Sequence, residues 1–184
     1  HHLESNCTAS FILSQTQTKV NIMSSGENSI YETDPILKNQ AFLDELHSDK
    51  SLAGVHAVAY KPVIFQSEKF EQRIKSTGTD TSIVRQEIHG AILKGVEWNY
   101  DWTFFKEHLK EGRLPDLKKE KVSTEIIISE RIARALNLKI GQEVKSFFVK
   151  NQPIKRIFKL VGIYATGLEE FDRKIAVGDL RLDQ

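Results

Sequence analysis

Between Ile154 and Tyr164 the chain runs IKRIFKLVGIY, where Ile157, Lys159, Val161 and Ile163 alternate with Phe158, Leu160 and Gly162. So dense a run of β-branched and aromatic residues fits a strand with at least one buried face and fits little else. A polar stretch, Thr166-Gly167-Leu168-Glu169-Glu170-Phe171-Asp172, follows it. Then come a shorter apolar run from Lys174 to Val177 and the sequence Asp179-Leu180-Arg181. The pattern predicts a long hairpin, with Gly167 supplying the turn conformation that other residues resist.

Upstream, the segment from Thr8 to Ser24 is rich in β-branched residues, and Lys19-Val20-Asn21-Ile22 alternates cleanly, which predicts strand. Asp34-Pro35 sets up a helix start, and Ile36, Leu37, Phe42, Leu43 and Leu46 give a helical stripe to about Ser48. Val55 to Phe65 is extended, with Pro62 marking an edge or a bulge. Residues 67–83 are the most polar part of the chain and predict an exposed turn or loop at a lobe boundary. Val84 to Val96 predicts a strand with Gly90 a candidate bulge.

Trp98-Asn99-Tyr100-Asp101-Trp102-Thr103-Phe104-Phe105 concentrates five aromatics. Asp101 is placed to cap a helix reaching Leu109, with Trp102, Phe105 and Leu109 on one face and Gly112 as its C-cap. Two readings stand for these rings: a helix packed on a sheet, or a contact surface in which Trp98, Tyr100 and Trp102 meet a partner. Glu125 to Ile128 is a short buried strand. Ser129 caps a helix from Glu130 to Leu138 that turns Ile132, Ala135 and Leu136 inward. Val144 to Val149 and Ile154 to Tyr164 pair as a hairpin around residues 150–153.

The expected fold is α+β. Residues 1–7 form a tag or linker remnant, since His1-His2-Leu3-Glu4 resembles the end of an affinity tag. A strand–helix–strand lobe of βαβ type spans 8–83, and a second mixed lobe with a long antiparallel hairpin spans 84–184.

Charge and motifs exclude more than they assign. Lys and Arg total 26 against 25 Asp and Glu, for a net charge of +1 with the signs interleaved. Nothing in that balance draws the chain to nucleic acid. No stretch of eighteen apolar residues offers a membrane helix. The sequence contains no GxSxG, HExxH, CxxC or phosphate-binding GxxxxGK[ST] motif. Cys7 has no neighbouring base, and His47, His56, His89 and His108 are not spaced as metal ligands. Glu169, Glu170 and Asp172 cluster without the spacing of a calcium loop, so a solvated turn is expected there. No catalytic residue, metal site or cofactor is expected.

Four stretches taken in order carry a family resemblance: Gly26 to Pro35 (GENSIYETDP), Gly90 to Trp102 (GAILKGVEWNYDW), Glu125 to Gly141 (EIIISERIARALNLKIG), and G-I-Y-x-T-G-L-E-E-F-D with the following D-L-R-x-x-Q. Together they resemble the extracytoplasmic domain of FtsX-like permeases of ABC transporters, in the lipoprotein-releasing (LolC/LolE-type) and MacB-like branch. The resemblance implies a MacB-like periplasmic fold whose first lobe lies near the membrane. It implies membrane helices flanking this piece and a place on the periplasmic face of the bacterial inner membrane. The implied partners are a cytoplasmic ATP-binding subunit, a second permease copy or paralogue, and a periplasmic lipoprotein or its carrier. The implied role is mechanical and recognitional, coupling ATP hydrolysis on the separate subunit to lipoprotein release or translocation.

The alternatives are a MacB-like exporter, a permease that regulates cell-wall hydrolases, and a free-standing binding module. In the LolC type the hairpin equivalent to 144–164 carries a long hook for the carrier. Here the connection from Lys150 to Pro153 is a tight turn, and Lys155 and Arg156 are the nearest candidate contact residues. The first lobe is expected to be incomplete at Gln184, which exposes sheet edges to dimer formation.

Overall fold

The computed structural model describes residues 9–14, 19–22, 40–50, 54–76, 78–149 and 153–181. Its first part comprises strands β1 (Ala9–Ser14) and β2 (Lys19–Ile22), helix α1 (Gln40–Ser48) and strand β3 (Gly54–Gln66). Then come β4 (Phe70–Ser76), β5 (Thr79–Arg85), β6 (Ile88–Val96), helix α2 (Thr103–His108) and β7 (Leu109–Gly112). The last part holds β8 (Glu125–Ser129), α3 (Glu130–Ala135), β9 (Glu143–Phe148), β10 (Ile154–Tyr164), α4 (Glu169–Lys174) and β11 (Ile175–Asp179). The expected cap at Asp34-Pro35, Cys7, the turn at 150–152 and Gln184 lie outside the described residues. The content is mixed α and β, dominated by sheet.

The pairing closes on itself. Neighbours run β3–β6–β11–β8–β10, and β9 pairs with both β10 and β3, giving a six-stranded barrel. Its interior is filled from every strand: Val63 and Phe65, Ala91 and Leu93, Ala176, Ile126 and Ile128, Phe158 and Leu160, Val144 and Phe148. Helix α3 adds Ile132, Ala133 and Leu136 to that core. Alternation explains the filling, since each strand sends every second side chain inward. Outside the barrel, β1 pairs with β3 and with β2, so β2 and β3 run parallel with β1 between them and α1 in the connection. The expected boundary at residue 83 falls within β5, and the strands on both sides of it share the barrel.

Pro62 sits where it does least harm. Its carbonyl accepts from Val149 N, so its own nitrogen faces the β9 side. On that side β3 changes partner, from β1 at residues 54–59 to β9 at 63–66. A missing N–H costs little in that gap.

Several expectations need correction. The stretch after β10 does not return as a hairpin, because β8 lies between β10 and β11, parallel to one and antiparallel to the other. Its polar link is helix α4, although Gly167 does take the expected left-handed conformation at φ +80°. The polar segment 67–83 is no loop, since β4 and β5 form a ribbon there. The strand expected from Val84 is divided at Gln86-Glu87, and Gly90 pairs with Ile64 in unbroken register without a bulge. Helix α2 stops at His108, and Gly112 ends β7 instead of capping the helix. A Cβ on Gly112, at φ +74°, would lie 2.1 Å from the Val161 carbonyl oxygen, so glycine is what lets β7 close on β10. In α3 the buried pair is Ile132 and Ala133, and Ala135 faces solvent.

Other expectations hold. Ser129 Oγ accepts from Ile132 N at 3.1 Å, the single cap foreseen. Strands β9 and β10 form the foreseen hairpin, paired from Lys159↔Glu143 to Ile154↔Phe148.

Candidate functional site

The segment from Trp98 to Leu117 lies across the barrel's outer wall over β6, β11, β8 and β10. Its rings seal a second core of Val58, Ile92, Val96, Ile127, Val161, Tyr164, Ile175 and Val177. Asp101 Oδ1 accepts from Thr103 N at 3.0 Å and from its hydroxyl at 2.7 Å, but the N-cap of α2 is Trp102 without a side-chain cap bond, so Asp101 braces the turn before the helix and is not the expected cap. Phe105 meets Tyr164 edge-on with 5.1 Å between ring centres, and Trp102 meets Tyr100 at the same separation.

The aromatic run thereby divides. Tyr100 and Phe105 are buried, Trp102 and Phe104 pack against them, and Trp98 remains 51% exposed. Lys119 Nζ stands 6.0 Å from the centre of the Trp98 ring.

Under this cover lies Lys94, buried on β6, whose Nζ donates to the Tyr100 hydroxyl at 3.0 Å and lies 5.9 Å from the Phe105 ring centre. A lysine–tyrosine pair can serve acid–base chemistry when the phenol is acidified. Here burial, followed by the charges of Tyr60 and Asp101, pushes the Tyr100 pKa upward. The phenol stays protonated and the pair acts as a packed, hydrogen-bonded wedge. Sequence reading passed over Lys94, since an isolated lysine in a strand carries no mark of burial.

Lys155 and Arg156 sit at the start of β10, nine and eight residues before Tyr164. At about 3.3 Å per residue this is roughly 30 Å of strand from Tyr164. Lys155 is exposed, whereas Arg156 is half-buried with Nη1 donating to the Lys155 carbonyl at 3.3 Å.

The last of the motifs behind the family resemblance resolves into two clasps, while the first, Gly26 to Pro35, lies outside the described residues. In the first clasp, Asp172 accepts from Thr166 N at 3.1 Å, Thr166 Oγ1 at 2.7 Å and Gly167 N at 3.0 Å, folding the link onto the start of α4. Tyr164 donates its hydroxyl to the Ile175 carbonyl at 2.6 Å, and Ser129 Oγ donates to the Asp172 carbonyl. In the second, buried Asp179 accepts from Ser123 N at 2.9 Å, Arg181 N at 3.0 Å and the Arg181 guanidinium. Arg181 spans onward to the carbonyls of Lys118, Lys119 and Lys121, fixing that basic loop. Burial raises the Asp179 pKa, but these hydrogen bonds outweigh it and hold the carboxyl below the usual range. A third anchor, missed in the sequence, joins Arg113 to Glu125 by two guanidinium–carboxylate contacts and ties Asp116 N to the same carboxylate.

The acidic cluster therefore disperses. Glu169 pairs with Arg131, Glu170 with Arg173 and Lys174, and Asp172 closes its clasp. Among the described residues no group of three His, Cys, Asp or Glu side chains could hold a metal ion, and no helix is long and apolar enough to cross a membrane.

No family model matches the chain, and no curated protein matches it. Among solved structures, it is similar to the extracellular domain of the noncanonic ABC-type transporter YknZ from Gram-positive bacteria, at 13% identity and a TM-score of 0.41, over 94% of this chain and 73% of that one.

Proposed function

We propose that this chain is the extracytoplasmic domain of an FtsX-like ABC transporter permease, standing on the periplasmic face of the inner membrane. In this role it couples ATP hydrolysis on a cytoplasmic subunit to lipoprotein release or translocation. The observation that carries the proposal is what the last of the resembling motifs does. Tyr164, Thr166, Asp172, Asp179 and Arg181 bind backbone and one another, tying β8, β10, α4 and β11 into one body. Residues used in this way suit a rigid element that transmits force and presents surfaces. Trp98 and Lys155 are the exposed members of the two groups of candidate contact residues, with Tyr100 and Trp102 as support beneath the first and Arg156 beside the second.

One observation favours a second reading. The β9–β10 ladder is paired up to Phe148↔Ile154, which leaves no length for a carrier-binding hook. A MacB-like exporter, which pushes substrate along a periplasmic conduit, does not require one.

Sequencing the flanking gene and photo-crosslinking in cells separate these possibilities. Hydrophobic segments of about 20 residues on both sides are expected, and their absence would leave a free-standing binding module. A photoreactive amino acid at Trp98 or Lys155 is expected to capture a lipoprotein or its carrier. Capture of conduit proteins selects the exporter, and capture of cell-wall hydrolases selects the regulatory permease.

A further inference from the structure

Residues 70–85 leave the barrel as two antiparallel strands that pair with each other and with no other described strand. The base of this ribbon is fixed. Buried Ser67 exchanges backbone and hydroxyl hydrogen bonds with Glu87 at 3.0 and 2.9 Å, and its carbonyl accepts from Gln86 Nε2 at 2.9 Å. Beyond that clasp no other described strand pairs with the ribbon. A lone two-stranded ribbon is marginal in water, whereas three or more strands with an apolar face are stable. Opposed residues share a face, so Phe70, Ile74 and Ile83 lie together on one side. Ile74 is 42% exposed there.

We propose that β4 pairs antiparallel with β4 of a second copy of this chain about a two-fold axis at Gln72, giving a four-stranded sheet in the order β5–β4–β4–β5. The register follows from the sequence Phe70-Glu71-Gln72-Arg73-Ile74. Centred on Gln72, it sets Phe70 against Ile74 and Glu71 against Arg73, each pair occurring twice by symmetry. The apolar pairs join Ile83 of both copies on one face, and the ion pairs line the other. Moving the axis to Glu71 or Arg73 sets that residue against its own copy and separates Phe70 from Ile74; at Arg73 two Glu71–Lys75 pairs offset the like charge, so the apolar pairing sets the register. Strand β5 has no comparable centre: about Ser82, Thr81 meets Ile83 and no charges pair. The open backbone edge of β4 supplies the ladder hydrogen bonds. This pairing does not depend on the transporter assignment.

Sedimentation velocity over a concentration series tests it. The unaltered chain is expected to shift from monomer to dimer with rising concentration. Glu71→Arg and Arg73→Glu each set like charges opposite one another twice and are expected to weaken the dimer about tenfold or more. The double variant E71R/R73E restores opposite charges and is expected to recover it. All three changes are on exposed side chains, and a retained melting temperature verifies that folding is intact. In a Cys7→Ser background, Gln72→Cys is expected to link two copies on mild oxidation and Thr81→Cys is not, because only residue 72 lies on the axis at disulfide distance. A chain that stays monomeric throughout, or a dimer indifferent to Glu71→Arg, overturns the proposal.

Discussion

Asp179 is 2% exposed and carries hydrogen bonds from Ser123 and Arg181, whose side chain is itself 28% exposed. Removing its charge leaves Arg181 without its counter-ion and Ser123 N without its acceptor. Asp179→Asn is therefore expected to cost about 2–4 kcal/mol by denaturant unfolding at neutral pH. The pH dependence has a definite sign. Because the folded carboxyl titrates below the unfolded value of about 3.9, its contribution is complete above that value. It is lost as pH falls through the depressed folded pKa. The unaltered protein is expected to lose stability in that acid window, and D179N to lose less. Equal acid slopes would show that Asp179 is not what the acid titrates. Nothing local marks Asp179 as buried, since Asp-Leu-Arg reads equally as a solvated end of strand. Only β11's place between β6 and β8 encloses it.

Elements were legible where a local pattern determines them. The run Glu125 to Ile128 with Ser129 behind it specifies a buried strand and a capped helix without outside help, and β9 with β10 specify a hairpin by proximity. Partner choice was not legible, because apolar alternation marks a strand but not its neighbour. Strand β8 therefore displaced the expected β10–β11 pairing. The ribbon escaped notice for the opposite reason: a strand exposed on both faces has no buried side to impose alternation. The aromatic run reads alike for core and contact, and burial resolves it residue by residue. Phe105→Ala is expected to cost about 3–5 kcal/mol, while Trp98→Ala stays within about 0.5 kcal/mol. Matching costs in thermal and denaturant unfolding would show that Trp98 also closes the core. Replacing 70–85 by an Asn-Gly turn between Lys69 and Gln86 is expected to leave the barrel's melting temperature nearly unchanged. The ribbon supplies no residue to either core, and the Ser67–Glu87 clasp remains. Loss of folding in that variant would show that the ribbon packs on the barrel.

At the scale of the whole molecule, closure makes the parts interdependent. Strand β3 precedes the expected boundary at 83, yet it pairs with β6 along nine residues and with β9 along four. It also contributes Val63 and Phe65 to the interior. Without β3 the remaining five strands form an open sheet with two unpaired edges and a core exposed on one side. A fragment of residues 84–184 is therefore expected to be unfolded or aggregated, despite holding most of the apolar residues. The whole chain should behave differently by native-state hydrogen exchange. Amides of β3, β6, β8, β9, β10 and β11 should open together at the global unfolding free energy, because no barrel strand can leave without breaking two ladders. Amides of β1 and β2, which hang on one edge of β3, should exchange by a cheaper local opening. If residues 84–184 fold alone with native near-ultraviolet dichroism, closure is not the source of stability. The division at 83 then separates two independent lobes that share a sheet only by contact.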